Sequence, residues 1–211
     1  MDDRDTPIFS KAAGDPKRLS VLIVGGGIGG LAAAIALRQN GHQVSVRTPA
    51  LKIHLVPVRL HTLADTRIQV LDQTGLDSDS GAAIHLCPNA SGILHQWNIR
   101  SEAFGACLMS RYVERTMDGQ TLKDIDLTES NARWPHPWHL VHRASLHKEL
   151  KRVATSEDRS GLPVKLFPHN RVVLVDAGQG VALENGNKIE ADVIVGADGI
   201  FVGHGCHSSS L

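Results

Sequence analysis

The chain has 211 residues, 22 lysines and arginines against 22 aspartates and glutamates, and a formal net charge of zero. That length suffices for one sizeable hydrophobic core, and the charge balance leaves no electrostatic footprint for nucleic acid or an anionic membrane. No apolar run approaches the ~20 residues of a membrane span, and Met1-Asp-Asp-Arg-Asp5 lacks the basic start and apolar stretch of a secretory signal.

Residues 1–19 are polar and charged, with Pro7 and Pro16, and read as a loose leader. Val21 to Val24 then form the short apolar run of a buried parallel strand. Gly25, Gly27 and Gly30 follow at G-x-G-x-x-G spacing, and Ile28–Asn40 reads as a helix of good formers with Gly41 at its C-cap. In this context each glycine has a physical task. Gly25 permits the turn out of the strand, Gly27 lets a pyrophosphate approach the backbone, and Gly30 lets helix and strand pack closely. The free N–H groups at the helix start face the phosphates. The pattern predicts a dinucleotide site; a purely structural glycine turn is the plainer alternative.

Gln43-Val-Ser-Val46 is the second strand of a βαβ opening. It should end at an acid that holds ribose hydroxyls, about 20 residues beyond the glycines. Instead the chain enters Arg47-Thr-Pro-Ala50, and no Asp or Glu occurs between Gly41 and Ala64. Residues 47–69 scatter Lys52, His54, Arg59, His61 and Arg67 among Leu and Val without period. Val70-Leu-Asp-Gln73 then resumes as though the second strand were ending again. Removal of Val46–Gln69 joins Val44-Ser45 to Val70-Leu-Asp72 and restores strand and acid, which makes Asp72 the ribose candidate. The removed piece is 24 codons, which fits a short intron of 72 nucleotides read in frame; a true insertion is the alternative.

Further on, Gly81-Ala-Ala-Ile84 is a small-residue turn into a strand, and Pro88-Asn89 opens a helix with Asn89 as N-cap. Asp118-Gly119 between Met109–Thr116 and Gln120–Leu127 signals a hairpin. Leu146, Leu150 and Val153 mark one face of a helix after Leu140-Val-His-Arg143. Val164–Phe167, Arg171–Val175 and Gly180–Leu183 read as strands, Asn185-Gly186 as a tight turn, and Ala191–Gly199 as a buried strand ending in a glycine turn. Residues 201–211 lack periodicity and read as a disordered tail. Cys87, Cys107 and Cys206, widely spaced and without C-x-x-C, suit free buried thiols and a cytoplasmic setting. His136, His139, His142 and His147 straddle a Pro-rich stretch and a helix start, with no acid or cysteine at ligand spacing, so no metal is expected. Trp97, Trp134 and Trp138 read as packing residues.

Four stretches taken together resemble the FAD-dependent monooxygenases, specifically the salicylate-hydroxylase-like aromatic-ring hydroxylases. They are the glycine loop at 25–30, Gly81-Ala-Ala-Ile84 with Pro88-Asn-Ala90, Trp138-His-Leu-Val-His-Arg-Ala-Ser-Leu146, and Ala191 to Gly199. The resemblance covers about 20–46 and 70–200. It implies an α/β, Rossmann-like FAD-binding fold with a parallel sheet plus β-hairpins, ending before most of the substrate domain. The implied organisation is a leader at 1–19, an FAD-binding domain at 20–200 interrupted at 46–69, and a tail at 201–211. The resemblance places Gly25, Gly27 and Gly30 at the pyrophosphate, Gly81 and Ala82 along the flavin, and Arg143 against FAD. Asp198 and Gly199 match a motif tied to FAD and NAD(P)H. It further implies NAD(P)H as electron donor and hydroxylation of an aromatic small molecule. No nucleic-acid partner is expected. The family pattern stops at Ile200, so no catalytic residue is assigned and the chain is expected to hydroxylate poorly by itself. Two rivals remain open: an NADP-binding reductase, in which Arg47 meets a 2′-phosphate, and a non-catalytic product of a truncated gene.

Overall fold

The computed structural model describes residues 19–39, 43–44, 68–76, 81–157, 161–176 and 180–199. The leader, the tail, Asn40, Gly41, Arg47 and most of 46–69 lie outside them.

Strand β1 (Ser20–Val24) leads into helix α1 (Ile28–Gln39), and β2 (Gln43–Val44) and β3 (Ile68–Leu71) follow. Next come β4 (Ala83–Leu86), helix α2 (Pro88–Gln96), a 3-10 turn at Ser101–Phe104, β5 (Cys107–Leu108), β6 (Arg111–Arg115), β7 (Thr121–Asp126) and helix α3 (Thr128–Arg133). Strand β8 (His139–His142) passes without a loop into helix α4 (Arg143–Thr155). The described chain ends with β9 (Lys165–Phe167), β10 (Val172–Asp176), β11 (Gly180–Leu183), β12 (Lys188–Ile189) and β13 (Val193–Gly196). The expected hairpin, tight turn and long helix are all present. The 3-10 turn, β5 and α3 went unforeseen because each is too short to show a period.

β1 is flanked in parallel by β13 and β2, and β3 pairs in parallel with β9. Leu22, Ile23, Leu31, Val70 and Leu71 are fully buried around this centre. Each side chain of this size contributes about 1.5–3 kcal/mol on burial. β13 does not match the expected buried strand: it is half-exposed, with Val193 at 37%. Helix α2 starts at Pro88, with Cys87 at the N-cap. Asn89 therefore lies inside the first turn and accepts the Ala90 N–H at 2.9 Å; proline's fixed φ favours the first helical position and displaces the expected cap. Cys87 is half-buried and Cys107 exposed, so the expectation of buried thiols fails for the latter. Cys107 sits on a two-residue strand with both residues exposed.

β2 and β3 share one lane beside β1. Ser20 pairs with Gln43 and Val21 with Val44. Farther along, the Gly25 N–H donates to the Leu71 carbonyl. In a parallel ladder an N–H reaches the residue before its partner. The same geometry recurs across β1, where Ala197 N–H reaches Val24 O at 2.6 Å while Val24 faces Gly196. Gly25 therefore faces Asp72. Positions 20 and 43 stand 23 apart and positions 25 and 72 stand 47 apart, so the two registers differ by 24 residues. Ile68 and Gln69, placed by the sequence reading inside the interruption, extend β3, and Gln69 pairs with Lys165.

Helices α1 and α4 lie side by side in the same sense. At their far ends Arg38, 2% exposed, reaches the last turn of α4. Its Nη1 donates to Val153 O at 3.2 Å and Ala154 O at 2.9 Å, and its Nη2 to Ser156 O at 2.7 Å and Gly161 O at 3.1 Å. A cation against the last carbonyls of a helix is the arrangement its C-terminus favours. At the near ends His147 of α4 touches the Gly26 carbonyl. Both positive helix ends thus open at one end of the molecule.

Candidate dinucleotide-binding site

The glycine loop is built by contact on one side and by space on the other. A Cβ on Gly30 would stand 1.9 Å from the Gly25 carbonyl oxygen, and one on Gly25, whose φ is +108°, 2.3 Å from the Ala197 carbonyl. Helix, strand and the Ala197-Asp198 turn therefore meet backbone to backbone, as the close-packing glycines require. At Gly27 and Gly29 an added Cβ would find nothing within 4 Å. Gly27 also starts the helix, its carbonyl accepting Leu31 N–H at 3.0 Å. The first N–H groups of a helix have no partner within the helix. The loop is thus closed toward the core and open beside the helix N-terminus.

Asp72 stands at the end of β3 against this loop. Its Oδ2 accepts the Gly26 N–H at 2.7 Å, and its Oδ1 accepts both Thr74 N–H and Thr74 Oγ1–H at 2.6 Å. A carboxylate offers about four acceptor positions, so Oδ2 retains one for a further hydroxyl. Asp198 and Gly199 follow β13 on the other flank. The Asp198 carboxylate is exposed, and Gly199 has φ of +78° with open space around it.

Gly81, Ala82 and Arg143 form a second group. Arg143 N–H donates to Ala82 O at 3.1 Å, and a Cβ on Gly81 would stand 2.9 Å from Arg143 Cβ. Arg143 is the first residue of α4, exposed, with no carboxylate against its guanidinium among the described residues. Its charge adds to the positive helix end and makes the spot favourable for an anion. α4 joins the two groups, because His147, one turn beyond Arg143, places Nε2 2.8 Å from Gly26 O. All nine residues singled out in the sequence thus fall into two groups bridged by one helix. His147, weighed in the sequence only as a metal ligand, and Thr74 also contact this candidate site; nothing in the sequence marks them for it, since they contact backbone or Asp72.

His139 and His136 hold other parts of the described fold. His139, 5% exposed, has Ser101 Oγ 3.0 Å from Nδ1 and Glu102 Oε1 3.4 Å from Nε2. Both its ring nitrogens are occupied, which pins the 3-10 turn to β8. His136 packs on Gly92 and the His95 ring. Among the described residues no three His, Cys, Asp or Glu side chains group as a metal site. Trp97 packs against the main core, and Trp138 stacks edge-on with His85.

A parallel β-α-β unit with a glycine turn, an acid at the second strand's end and two helix N-termini at one edge defines a dinucleotide-binding α/β fold. The family described as FAD binding domain matches residues 20–52. The chain is 33% identical over 183 residues to hispidin-3-hydroxylase of Neonothopanus nambi, covering 86% of this chain and 38% of that protein. It is 30% identical over 193 residues to the FAD-dependent monooxygenase cfoG of Aspergillus candidus, covering 86% and 37%. Its fold matches the crystal structure of 2-methyl-3-hydroxypyridine-5-carboxylic acid oxygenase with a TM-score of 0.62 and 25% identity, covering 87% of this chain and 40% of that one. By sequence and fold the chain is similar to part of the FAD-dependent monooxygenases. It spans about two fifths of the length of the curated relatives it matches.

Proposed function

We propose that this chain binds FAD and supplies the cofactor-holding portion of an NAD(P)H-dependent monooxygenase that hydroxylates an aromatic or related small molecule. The observation that carries the reading is the loop that is sealed at Gly25 and Gly30 yet open at Gly27 and Gly29, with Asp72 at its edge. That cradle fits the group. Gly25, Gly27, Gly30 and the N–H groups opening α1 would hold the pyrophosphate, and Asp72 the ribose hydroxyls. Arg143, with Gly81 and Ala82, would flank the flavin end, and Asp198-Gly199 the opposite wall. The chemistry FAD supplies when bound is acceptance of hydride from NAD(P)H and activation of dioxygen for attack on an electron-rich ring. The residues of this chain bind and orient it. Hydroxylation is proposed for a protein of the relatives' length, and by itself the 211-residue chain is proposed to turn over poorly.

The rival NADP-binding reductase is disfavoured by Asp72, because a carboxylate at the strand end repels a 2′-phosphate; Arg47, on which that reading drew, lies outside the described residues. No helix among the described residues is long and apolar enough to cross a membrane, and a cytoplasmic location is part of the proposal. The experiment is titration of the purified chain with FAD and with NADPH, followed by flavin fluorescence and absorption. FAD binding with the two visible bands of oxidised flavin is expected. A folded, colourless chain that binds NADPH tightly and ignores FAD would overturn the reading.

We further propose that the chain carries a 24-residue in-frame insertion, at about 46–69, within a single strand. Support comes from the registers of β2 and β3 on β1, which differ by 24 residues.

A further inference from the structure

The Gly26 residue is held on both sides, through two different peptide groups. Its N–H donates to Asp72 Oδ2 at 2.7 Å, and its carbonyl faces His147 Nε2 at 2.8 Å. A carbonyl is only an acceptor, so His147 must carry its proton on Nε2 and donate it. The peptide joining Gly26 to Gly27 is planar and trans, so its C=O and N–H point in opposite directions. Holding the oxygen toward α4 therefore turns the Gly27 N–H away from α4. It does so in a loop whose Gly27 and Gly29 positions are open. Leu76 fills the remaining side, since a Cβ on Gly26 would stand 2.5 Å from its Cδ2. One turn beyond His147, Lys151 Nζ reaches the Leu76 carbonyl at 3.4 Å. The polar edge of α4 thus grips both the glycine loop and the turn that carries Asp72.

We propose that His147 is a positioning residue for the dinucleotide site: by holding the Gly26 carbonyl it aims the Gly27 N–H at the cofactor's diphosphate. This rests on the FAD reading above. A glycine pair is the least constrained backbone a loop can have, and an N–H aimed before binding avoids an ordering cost on binding. The side chain touches no cofactor atom in this account and acts through one peptide.

The test compares the full chain with His147→Phe, which keeps bulk without a donor, His147→Ala, which removes both, and His147→Gln, which restores a donor. FAD and AMP are the two probes, AMP sharing the adenosine and one phosphate but no diphosphate bridge. The Gly27 amide is followed by 15N NMR, and melting confirms the fold. Loss of one directing hydrogen bond is expected to weaken FAD about tenfold in the Phe and Ala variants. AMP should change less than about twofold, the Gly27 amide should shift, and Gln should recover most of the FAD affinity. Unchanged FAD affinity in a folded Phe or Ala variant overturns the proposal, as does equal weakening of FAD and AMP without rescue by Gln. If neither donor-less variant folds, a Gln variant that folds but binds FAD no better than AMP overturns it. A wild-type chain that binds no FAD brings down the FAD reading and this inference with it, whereas tight FAD binding unaffected at His147 brings down this inference alone.

Discussion

The centre around β1 and the hairpin β6–β7 are held by different physics. Val21, Leu22 and Ile23 are buried, flanked by strands on both sides and covered by α1. Every residue of β7 is exposed, and the hairpin is held by its own ladder, the Asp118-Gly119 turn and the bidentate Arg111–Asp124 pair at 2.7 and 2.6 Å. At the centre one added methyl group meets backbone. In the hairpin a whole charged pair stands in water. The difference teaches where substitutions act on folding, where on binding, and where on little at all.

The sharpest way to break the comparison is Gly30→Ala. Its methyl would overlap the Gly25 carbonyl, and the expected loss is at least about 3 kcal/mol in denaturant unfolding. A mild loss would show that helix and strand separate easily. Arg38→Ala should follow closely. It leaves the carbonyls of Val153, Ala154, Ser156 and Gly161 without this donor, at a cost of about 2–4 kcal/mol by the same measurement.

Deletion of residues 46–69 tests the register argument. Constraining 24 extra residues between the two registers costs roughly 3 kcal/mol of chain entropy, so the shortened chain should melt at a higher temperature and keep Asp72 opposite Gly25. A deleted chain that no longer folds would defeat the single-strand proposal. Gly27→Val sharpens the contrast from the binding side. With nothing within 4 Å of its Cβ, the melting temperature should hold while FAD affinity falls by at least about tenfold. A drop in stability of the cofactor-free chain would show that the open space is not open.

The smallest effect belongs to the hairpin. The Arg111 hydrogen bond holds the Asp124 carboxyl below the usual carboxylate range, and Thr128 does the same for Asp126. A lowered carboxylate contributes stability that is complete above its ordinary range and lost as pH falls through its folded value. Both groups are exposed, so Arg111→Ala should leave melting at neutral pH unchanged and return Asp124 toward its ordinary range in an NMR titration. A clear fall in melting temperature would mean the hairpin is coupled to the core.

The candidate site was legible wherever chemistry and spacing coincide. The glycine loop announces itself because a strand, three glycines and an apolar helix occur in order. Asp72 was reachable despite the interruption, because the strand pattern of Val70-Leu71 restarts just before it. Arg143 and Asp198 were reachable only through resemblance, since a helix-start arginine and a turn aspartate are ordinary by themselves. What the sequence hid were the groups that act on backbone. Arg38 reads as an unremarkable residue in a helix's last turn, yet it is buried on four carbonyls more than 100 positions away. Asn89 misled for a local reason, the proline before it claiming the first helical position.

Arg38 also bears on how the chain unfolds in time. Its bonds join parts of the sequence 115 to 123 positions apart. They can form only after α1 and the end of α4 are both in place, so they belong to the late side of the folding barrier. Their loss should therefore appear almost entirely as faster unfolding, with the refolding rate nearly untouched. In a chevron plot of Arg38→Ala the unfolding arm should rise while the folding arm stays where it is. The same residue that closes the far end of the two helices would then set the lifetime of the folded cradle at their near end.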